Sequence, residues 1–303
     1  MSHYIILILI NILISTSTFS TEINPEQWYQ IDDFPMKKNS TEFILTGRKY
    51  QIASYTYLPL NAEKASVTTV HGYLVNCAYL APIHRFLLES GYKVTCIEMA
   101  GLGQSEGERA KIASFKTYQE FISQLPKAAP DSKFLITHST GAVGVFDSLF
   151  SKKKLPYKHI ILTTPLVRIR KYQFTKIIYY LGRYFIDGVT RDPKSADYKS
   201  EKLNELHRKD PFWISETPVS WVGNLIEWNN ELEKNEMTAP QSNITIIYGG
   251  SDQVVDTEYN KNFLEKRIPN ASHILLEGGS HYPFWDPDLQ KKFKQIVLSK
   301  LQL

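Results

Sequence analysis

The chain has 303 residues, a length that suits one large α/β domain carrying an insertion. Its apolar fraction of 43% is enough for a full core, which excludes a disordered or low-complexity chain. The net charge of +4 is small and the basic residues are dispersed, so nucleic acid is not an expected partner.

Residues 1–20 differ from the rest of the sequence. Tyr4 to Ile14 form an apolar run with the length of a signal-peptide core, too short to span a bilayer. Small side chains follow at Thr18 and Ser20, although no lysine or arginine precedes the run. The segment predicts an exported protein, periplasmic or secreted. An uncleaved membrane anchor or a buried first strand remains the alternative.

From residue 41 onward, strand-like and helix-like runs alternate. Two β-like runs around Gly47-Arg48 predict a hairpin. Apolar patterning predicts strands at 41–46, 49–57, 66–70, 92–99, 133–139, 159–163, 244–248 and 273–276, and helices at 82–90, 115–127, 141–150, 258–266 and 288–301. This order predicts a mainly parallel sheet with helices on both faces. Right-handed crossovers would place the loops after the strands at one sheet edge.

The alternation stops in the middle of the chain. Residues 168–240 are rich in tyrosine, isoleucine, phenylalanine and tryptophan, and they are interpreted as a mostly helical cap over the site. The core would then consist of residues 21–167 and 241–303.

Two cysteines, Cys77 and Cys96, are present. In an oxidising compartment they could pair. Cys96 falls inside a strand-like run and Cys77 just after a loop, so two buried free thiols are the favoured interpretation.

The segment from Thr137 to Gly141 has the pattern of a nucleophile elbow. It follows the apolar run 134–136 and precedes a helix-like segment, with small residues near Ser139. Such a strand-to-helix turn exposes the serine hydroxyl to a histidine. Thr137 stands where the usual motif has glycine, and a lone match of this kind is weak evidence.

A serine nucleophile needs a base and a carboxylate that orients the base. In this order of elements, the acid should follow the strand after the cap and the histidine should follow the last strand. These positions hold Asp252 and His281, each behind a glycine pair. Asp256 is instead expected to begin the next helix as its N-cap, and His273 to be structural.

Acyl transfer also requires donors for the developing oxyanion. The backbone N–H groups of Thr140 and Tyr73 are the candidates, since Gly72 would let the backbone approach the serine. His71 and His138 should lie near the site, either as packing residues or in contact with substrate.

Taken together, these motifs resemble α/β-hydrolases of the monoacylglycerol lipase and bacterial lysophospholipase family. The most family-specific stretch is Gly101-Leu102-Gly103-Gln104-Ser105-Glu106-Gly107-Glu108-Arg109. The other carriers are His71-Gly72-Tyr73, Ser139, Gly250-Ser251-Asp252, His281, Pro211-Phe212-Trp213 and Thr217-Pro218-Val219-Ser220-Trp221-Val222. The departures are Thr137 and Leu102, which replace a glycine and a frequent histidine. The resemblance implies an α/β-hydrolase fold and cleavage of one acyl chain from a lysophospholipid or monoacylglycerol.

The cap has a composition compatible with a lipid substrate. Ile177 and Ile178 belong to an apolar, aromatic run surrounded by arginine and lysine, which suits an interfacial helix on anionic lipid. Packing of this helix on its own domain explains the pattern equally well.

Two other functions are open. A peptidase or a short-chain carboxylesterase could use the same three residues, and the peptidase would need a cap carboxylate for the substrate amine. Glu201, Glu205, Glu216 and Glu227 are the candidates for that carboxylate. A non-catalytic binding protein is disfavoured by the intact catalytic set.

The sequence contains no metal-ligand cluster, phosphate loop or nucleotide fingerprint, so neither a metal nor a cofactor is expected.

Overall fold

The computed structural model describes residues 31–190, 198–239 and 241–302. The strands in these ranges are β1 (Met36–Leu45), β2 (Arg48–Tyr57), β3 (Ala65–Val70), β4 (Tyr92–Ile97), β5 (Ser132–His138), β6 (His159–Thr163), β7 (Gly188–Thr190), β8 (Glu216–Pro218), β9 (Ile244–Gly249) and β10 (Ser272–Leu276). The helices are α1 (Ala81–Glu89), α2 (Lys116–Ala128), α3 (Val143–Phe150), α4 (Tyr172–Gly182), α5 (Glu201–Lys209), α6 (Val219–Lys234), α7 (Thr257–Arg267) and α8 (Gln290–Lys300).

One large sheet organises the described residues, with the strand order β1-β2-β4-β3-β5-β6-β9-β10. The pairs from β4 to β10 are parallel, and β1 and β2 add an antiparallel edge. From β3 the chain runs first outward to β4 and then back to β5 on the other side. This reversal leaves a crevice at the carboxyl ends of β3 and β5, where α/β sheets bind ligands.

The hairpin and the alternating elements confirm the fold that the sequence predicts. β1 and β2 meet in a turn at Thr46 and Gly47, both with positive φ, and β1 begins earlier than the predicted residue 41. The remaining core strands and helices lie within a few residues of their predicted positions.

Apolar side chains cover both faces of the sheet. Successive residues of β5 alternate between two buried clusters, with Leu135 in one cluster and Phe134 and Ile136 in the other. The alternation follows from the period of two in a strand. Helices α2, α3 and α7 contribute to the first cluster, and α1 and α8 to the second. The sheet is therefore buried on both sides, as its apolar strands require.

The chain between β6 and β9 forms the segment predicted as a cap. It contains α4, α5 and α6, together with the short antiparallel pair β7–β8 that the sequence does not predict. Helix α6 lies against the core, where Trp221, Leu225 and Trp228 join the first apolar cluster.

The two cysteines form a disulfide, so the expectation of two free thiols is wrong. Parallel pairing places Cys96 opposite Thr69 near the end of β3. The chain after β3 then turns back in a short 3-10 helix, Cys77–Leu80, which brings the two Cα atoms within 6.1 Å. This return of the loop is a tertiary contact that the local pattern does not reveal.

In the described parts of the chain, no helix has both the length and the apolar character needed to cross a membrane. The segment 1–20, predicted as a signal peptide or anchor, lies outside the described residues.

Candidate active site

Ser139 lies at a strained turn at the carboxyl end of β5. Its φ is +53°, a left-handed value that is rare for a residue with a side chain and is often found at functional sites. A 3-10 turn, Ser139–Ala142, follows and continues into α3. A Cβ at Gly141 would lie 2.7 Å from the carbonyl oxygen of His71, which directly follows β3. The end of β3 and the turn after Ser139 can therefore approach each other only because residue 141 is glycine.

Three loops bring a serine, a histidine and an aspartate together. Ser139 Oγ lies 3.0 Å from Nε2 of His281, and Nδ1 of the same ring lies 2.7 Å from Asp252 Oδ2. All three residues are buried. The structure thus joins the three residues that the sequence predicts to act as nucleophile, base and orienting acid.

Asp252 is fixed in its own loop. Its Oδ1 accepts hydrogen bonds from the backbone N–H groups of Val254 and Val255, which leaves Oδ2 directed at the histidine. Asp256, the rival carboxylate, accepts from Tyr259 N and caps α7, as predicted.

The two glycine-containing loops are hydrogen-bonded to each other. Gly250 N donates to the carbonyl oxygen of Leu276, and Ser251 N to that of Gly279. A Cβ at Gly249 would lie 2.2 Å from the carbonyl oxygen of Ser280. Close backbone approach is therefore the reason for glycine here, and it sets the distance between Asp252 and His281.

The histidine loop is held by a carboxylate that the sequence interpretation missed. Asp286 is buried and accepts hydrogen bonds from Ser280 N and Ser280 Oγ, both 2.6 Å long. On the other side, Thr164 Oγ1 donates to the carbonyl oxygen of His281. These contacts fix the backbone on both sides of the ring, and nothing in the sequence spacing signals them.

The loop after β3 passes directly over the serine. A Cβ at Gly72 would lie 3.1 Å from Ser139 Cβ and 3.6 Å from Ser139 Oγ. The next residue is Tyr73, whose backbone N–H is one predicted oxyanion donor. Thr140 lies in the first turn after the serine, where N–H groups have no partner within the helix. Both predicted donors are therefore on segments adjacent to Ser139.

His71 and His138 are buried beside the site and do not line its cavity. Burial lowers the pKa of His71 to about 4, and its Nε2 accepts a hydrogen bond from Met99 N. Burial, together with the neighbouring His281 and His71, places the pKa of His138 well below its usual value. Both rings are neutral near pH 7. The His138 ring centroid lies 4.8 Å from that of His281, so it packs against the base.

A cavity of about 290 Å³ opens onto Ser139 and His281. Its walls are mostly apolar. The described lining residues are Gly72, Tyr73, Leu74, Val75, Ser139, Thr140, Leu166, Ile169, Tyr198, Thr217, Trp221, Val222, Val254, Val255, His281 and Tyr282. Apart from the histidine, this lining contains no ionisable acid or base other than tyrosine. Ile177 and Ile178, predicted to contact substrate, are exposed on α4 and are absent from this lining.

No cluster of three or more histidine, cysteine, aspartate or glutamate side chains within the described ranges could hold a metal ion.

The parallel sheet, the elbow serine and the three hydrogen-bonded residues define a serine hydrolase of the α/β-hydrolase fold. The profile of the family described as serine aminopeptidase, S33, matches residues 61–288, and the chain belongs to this family. No curated protein was found to match the chain.

Solved structures of lipases and esterases share the fold. A monoacylglycerol lipase from Paleococcus ferrophilus superposes with a TM-score of 0.63 at 18% identity, covering 81% of this chain and 97% of its own. A soluble variant of monoglyceride lipase from Saccharomyces cerevisiae, in complex with a substrate analogue, gives 0.66 at 16% identity, with coverages of 87% and 96%. A carboxyl esterase from Bacillus coagulans gives 0.62 at 16% identity, with coverages of 88% and 98%.

Proposed function

We propose that the protein hydrolyses the acyl ester of a monoacylglycerol or lysophospholipid through an acyl-enzyme on Ser139. The observation that carries the proposal is the hydrogen-bonded set Ser139–His281–Asp252 opening onto an apolar cavity. An apolar cavity beside the nucleophile suits a fatty acyl chain, whose burial is favourable in proportion to its apolar area.

The reaction follows from the positions of these side chains. His281 Nε2 takes the proton of Ser139 Oγ as the oxygen attacks the ester carbonyl, and Asp252 stabilises the resulting imidazolium. The N–H groups of Tyr73 and Thr140 donate to the oxyanion. Collapse of the intermediate releases the glycerol-containing alcohol with the proton from the histidine. A water molecule, deprotonated by the same ring, then releases the fatty acid.

The family description favours an aminopeptidase as the second candidate. A peptidase would hold the charged amine of its substrate with a carboxylate, and none of the four cap glutamates lines the cavity. Glu201 and Glu205 are exposed and paired with Arg208 and Lys209. Glu227 lines a separate groove. The cavity therefore supports an ester of a neutral acyl chain over a peptide.

Within the ester substrates, the cavity favours monoacylglycerol. Its described lining contains no lysine or arginine to pair with a phosphate. A neutral glycerol head group requires only hydrogen-bonding partners, so it can enter without leaving a charge unpaired.

The deciding experiment compares initial rates on monoacylglycerol, lysophosphatidylcholine, a short-chain nitrophenyl ester and an aminoacyl amide, using residues 21–303 and the Ser139→Ala variant. We expect monoacylglycerol to be cleaved fastest, with turnover and fluorophosphonate labelling both lost in Ser139→Ala. Fastest cleavage of the aminoacyl amide would establish the peptidase instead, and retained turnover in the variant would refute the role of Ser139.

A lipid surface is the proposed partner of α4. In this helix only Tyr172 is buried, while Ile177 is 58% exposed and Phe185, just beyond the helix, is 84% exposed. Basic side chains accompany these apolar groups at Lys171 and Arg183. This combination supports binding to anionic lipid, since apolar groups enter the interface while cations meet the head groups.

Vesicle sedimentation tests this partner. The double substitution Ile177→Ser and Ile178→Ser should abolish binding to anionic vesicles while turnover of a soluble short-chain ester stays unchanged. Leu60→Ser is the matched control, because Leu60 is 67% exposed and precedes β3, at the end of the sheet opposite the carboxyl ends of the parallel strands. Equal binding by all three proteins would exclude α4 as the membrane contact.

Export is proposed for the segment 1–20, either with cleavage or with retention as an anchor. The disulfide between Cys77 and Cys96 supports an oxidising compartment, where such bonds persist. Cell fractionation followed by N-terminal sequencing tests the proposal. A mature protein that begins near residue 21 outside the cytoplasm is expected, and an intact N-terminus on cytoplasmic protein would contradict it.

A further inference from the structure

An aromatic stack joins the inserted segment to the loop over the nucleophile. The rings of Tyr73 and Trp221 are nearly parallel, at 8°, with centroids 4.1 Å apart. Tyr73 follows β3 in the core, whereas Trp221 lies in the first turn of α6. The stack therefore connects the cap directly to the residue that is the proposed oxyanion donor.

Both rings are held by further contacts. Tyr73 Oη donates to the carbonyl oxygen of Ala110 over 2.6 Å. Trp221 Nε1 donates to Tyr118 Oη over 2.9 Å, and its ring packs against that of Phe115 at a tilt of 48° and a centroid distance of 5.4 Å. Trp221 is buried. The indole is consequently a fixed surface, and the phenol is restrained both by its face and by its hydroxyl group.

The backbone near Tyr73 depends on such restraint. Gly72 precedes it without a side chain, and Leu74 follows it with φ of +61°, an unfavourable left-handed conformation for leucine. Conformations of this kind persist only where surrounding contacts impose them. The ring of Tyr73 is attached to the Cα between these two residues. Contacts that hold this ring therefore also restrain the backbone N–H of Tyr73.

We infer that Trp221 is a positioning residue for the oxyanion hole, holding Tyr73 so that its backbone N–H meets the oxyanion. The inference rests on the proposed acyl transfer at Ser139. Trp221 also lines the cavity, so a simpler role as a wall for the acyl chain must be separated experimentally. The two roles differ in one respect: a lost oxyanion donor slows every ester, whereas a lost wall affects only esters long enough to reach it.

The test compares Trp221→Leu, Trp221→Phe and Val222→Ala on nitrophenyl acetate and nitrophenyl decanoate. We expect Trp221→Leu to lower kcat about tenfold or more on both esters, with KM for the acetate nearly unchanged. Trp221→Phe keeps an aromatic face and should recover most of the kcat. Val222→Ala, at the adjacent cavity residue, shows the effect of a lost wall, and it should lower turnover of the decanoate more than turnover of the acetate.

A double-mutant cycle with Tyr73→Leu gives an independent measurement. This substitution retains the backbone N–H but removes the ring, so it should reproduce the loss caused by Trp221→Leu. The double variant should lose no more kcat than either single variant, because both break the same contact. Thermal unfolding of each variant verifies that the compared proteins are folded, and the Trp221→Phe result remains informative if Trp221→Leu does not fold.

Additive losses, or a loss restricted to the decanoate, would overturn the positioning role while leaving the proposed function intact. Absence of Ser139-dependent hydrolysis in the unsubstituted protein would instead refute the proposed function, and the inference with it.

Discussion

Replacement of Glu98 by glutamine should change the pH dependence of stability. Glu98 follows β4 and is fully buried beneath the Gly101–Arg109 loop, where it accepts hydrogen bonds from the backbone N–H groups of Cys77 and Gln104. Burial raises the pKa of its carboxyl group to about 7, although these bonds and the nearby cations of Lys38 and Arg109 oppose the rise.

Proton linkage determines whether the free energy of unfolding rises or falls with pH. The usual pKa of the group is 4.5, so between pH 4.5 and about 7 the folded protein binds more protons than the unfolded chain. The free energy of unfolding must therefore fall as the pH rises through this window. Above about pH 7 the whole contribution of the protonated Glu98 carboxyl group is lost. The rise from 4.5 to about 7 corresponds to roughly 3 kcal/mol, at about 1.4 kcal/mol for each pKa unit.

Urea unfolding at about pH 5 and about pH 8 measures this effect. The free energy of unfolding of Glu98→Gln, relative to the unsubstituted protein, should increase by roughly 2–3 kcal/mol between the two conditions. Glu106→Gln is the matched control, because Glu106 is on the same loop but exposed. Its difference in the free energy of unfolding from the unsubstituted protein should change little between the two pH values. An equal difference at both pH values would mean that the pKa of Glu98 is not raised in the folded protein.

Three further experiments test the site and the disulfide. Asp252→Asn should lower kcat by about 10³- to 10⁴-fold in steady-state assays. The kcat of Asp256→Asn should stay within about twofold of that of the unsubstituted protein, because asparagine keeps an N-cap acceptor. A larger loss for Asp256→Asn than for Asp252→Asn would identify Asp256 as the acid. Asp286→Ala removes both bonds to Ser280 and should reduce kcat about tenfold with a lower melting temperature, and unchanged kinetics would show that the histidine loop holds its shape without it. Cys77→Ser should cost about 2–4 kcal/mol in urea unfolding relative to the oxidised protein, because the disulfide closes a loop with a sequence separation of 19; equal stability would remove its structural role.

The core could be predicted because its signals are local. A run such as 134–136, apolar and flanked by turn residues, specifies a buried strand wherever the strand is finally placed. Parallel topology then fixes where its following loop must lie. Ser139, Asp252 and His281 each follow a strand, and the structure brings these three residues into hydrogen-bond contact.

The contacts that orient these residues could not be predicted in the same way. Asp286 reaches Ser280 because the chain turns back after His281, and Cys96 meets Cys77 because a loop returns over β4. The stack of Tyr73 on Trp221 joins segments far apart in the chain. Each contact depends on the final path of a loop, which neither periodicity nor residue spacing encodes.

This division between core and insertion has a functional consequence. The core loops carry the serine, the histidine and the aspartate, so changes in them should alter the rate for every ester. The inserted segment supplies Tyr198, Thr217, Trp221 and Val222 to the cavity, so changes there should alter which acyl group is accepted. Changes at Trp221 should alter both properties, because this residue lies in the insertion and its ring stacks on Tyr73, whose backbone N–H is the proposed oxyanion donor. A cap that both shapes the cavity and holds an oxyanion donor would make acyl selection and catalytic rate interdependent at this one residue.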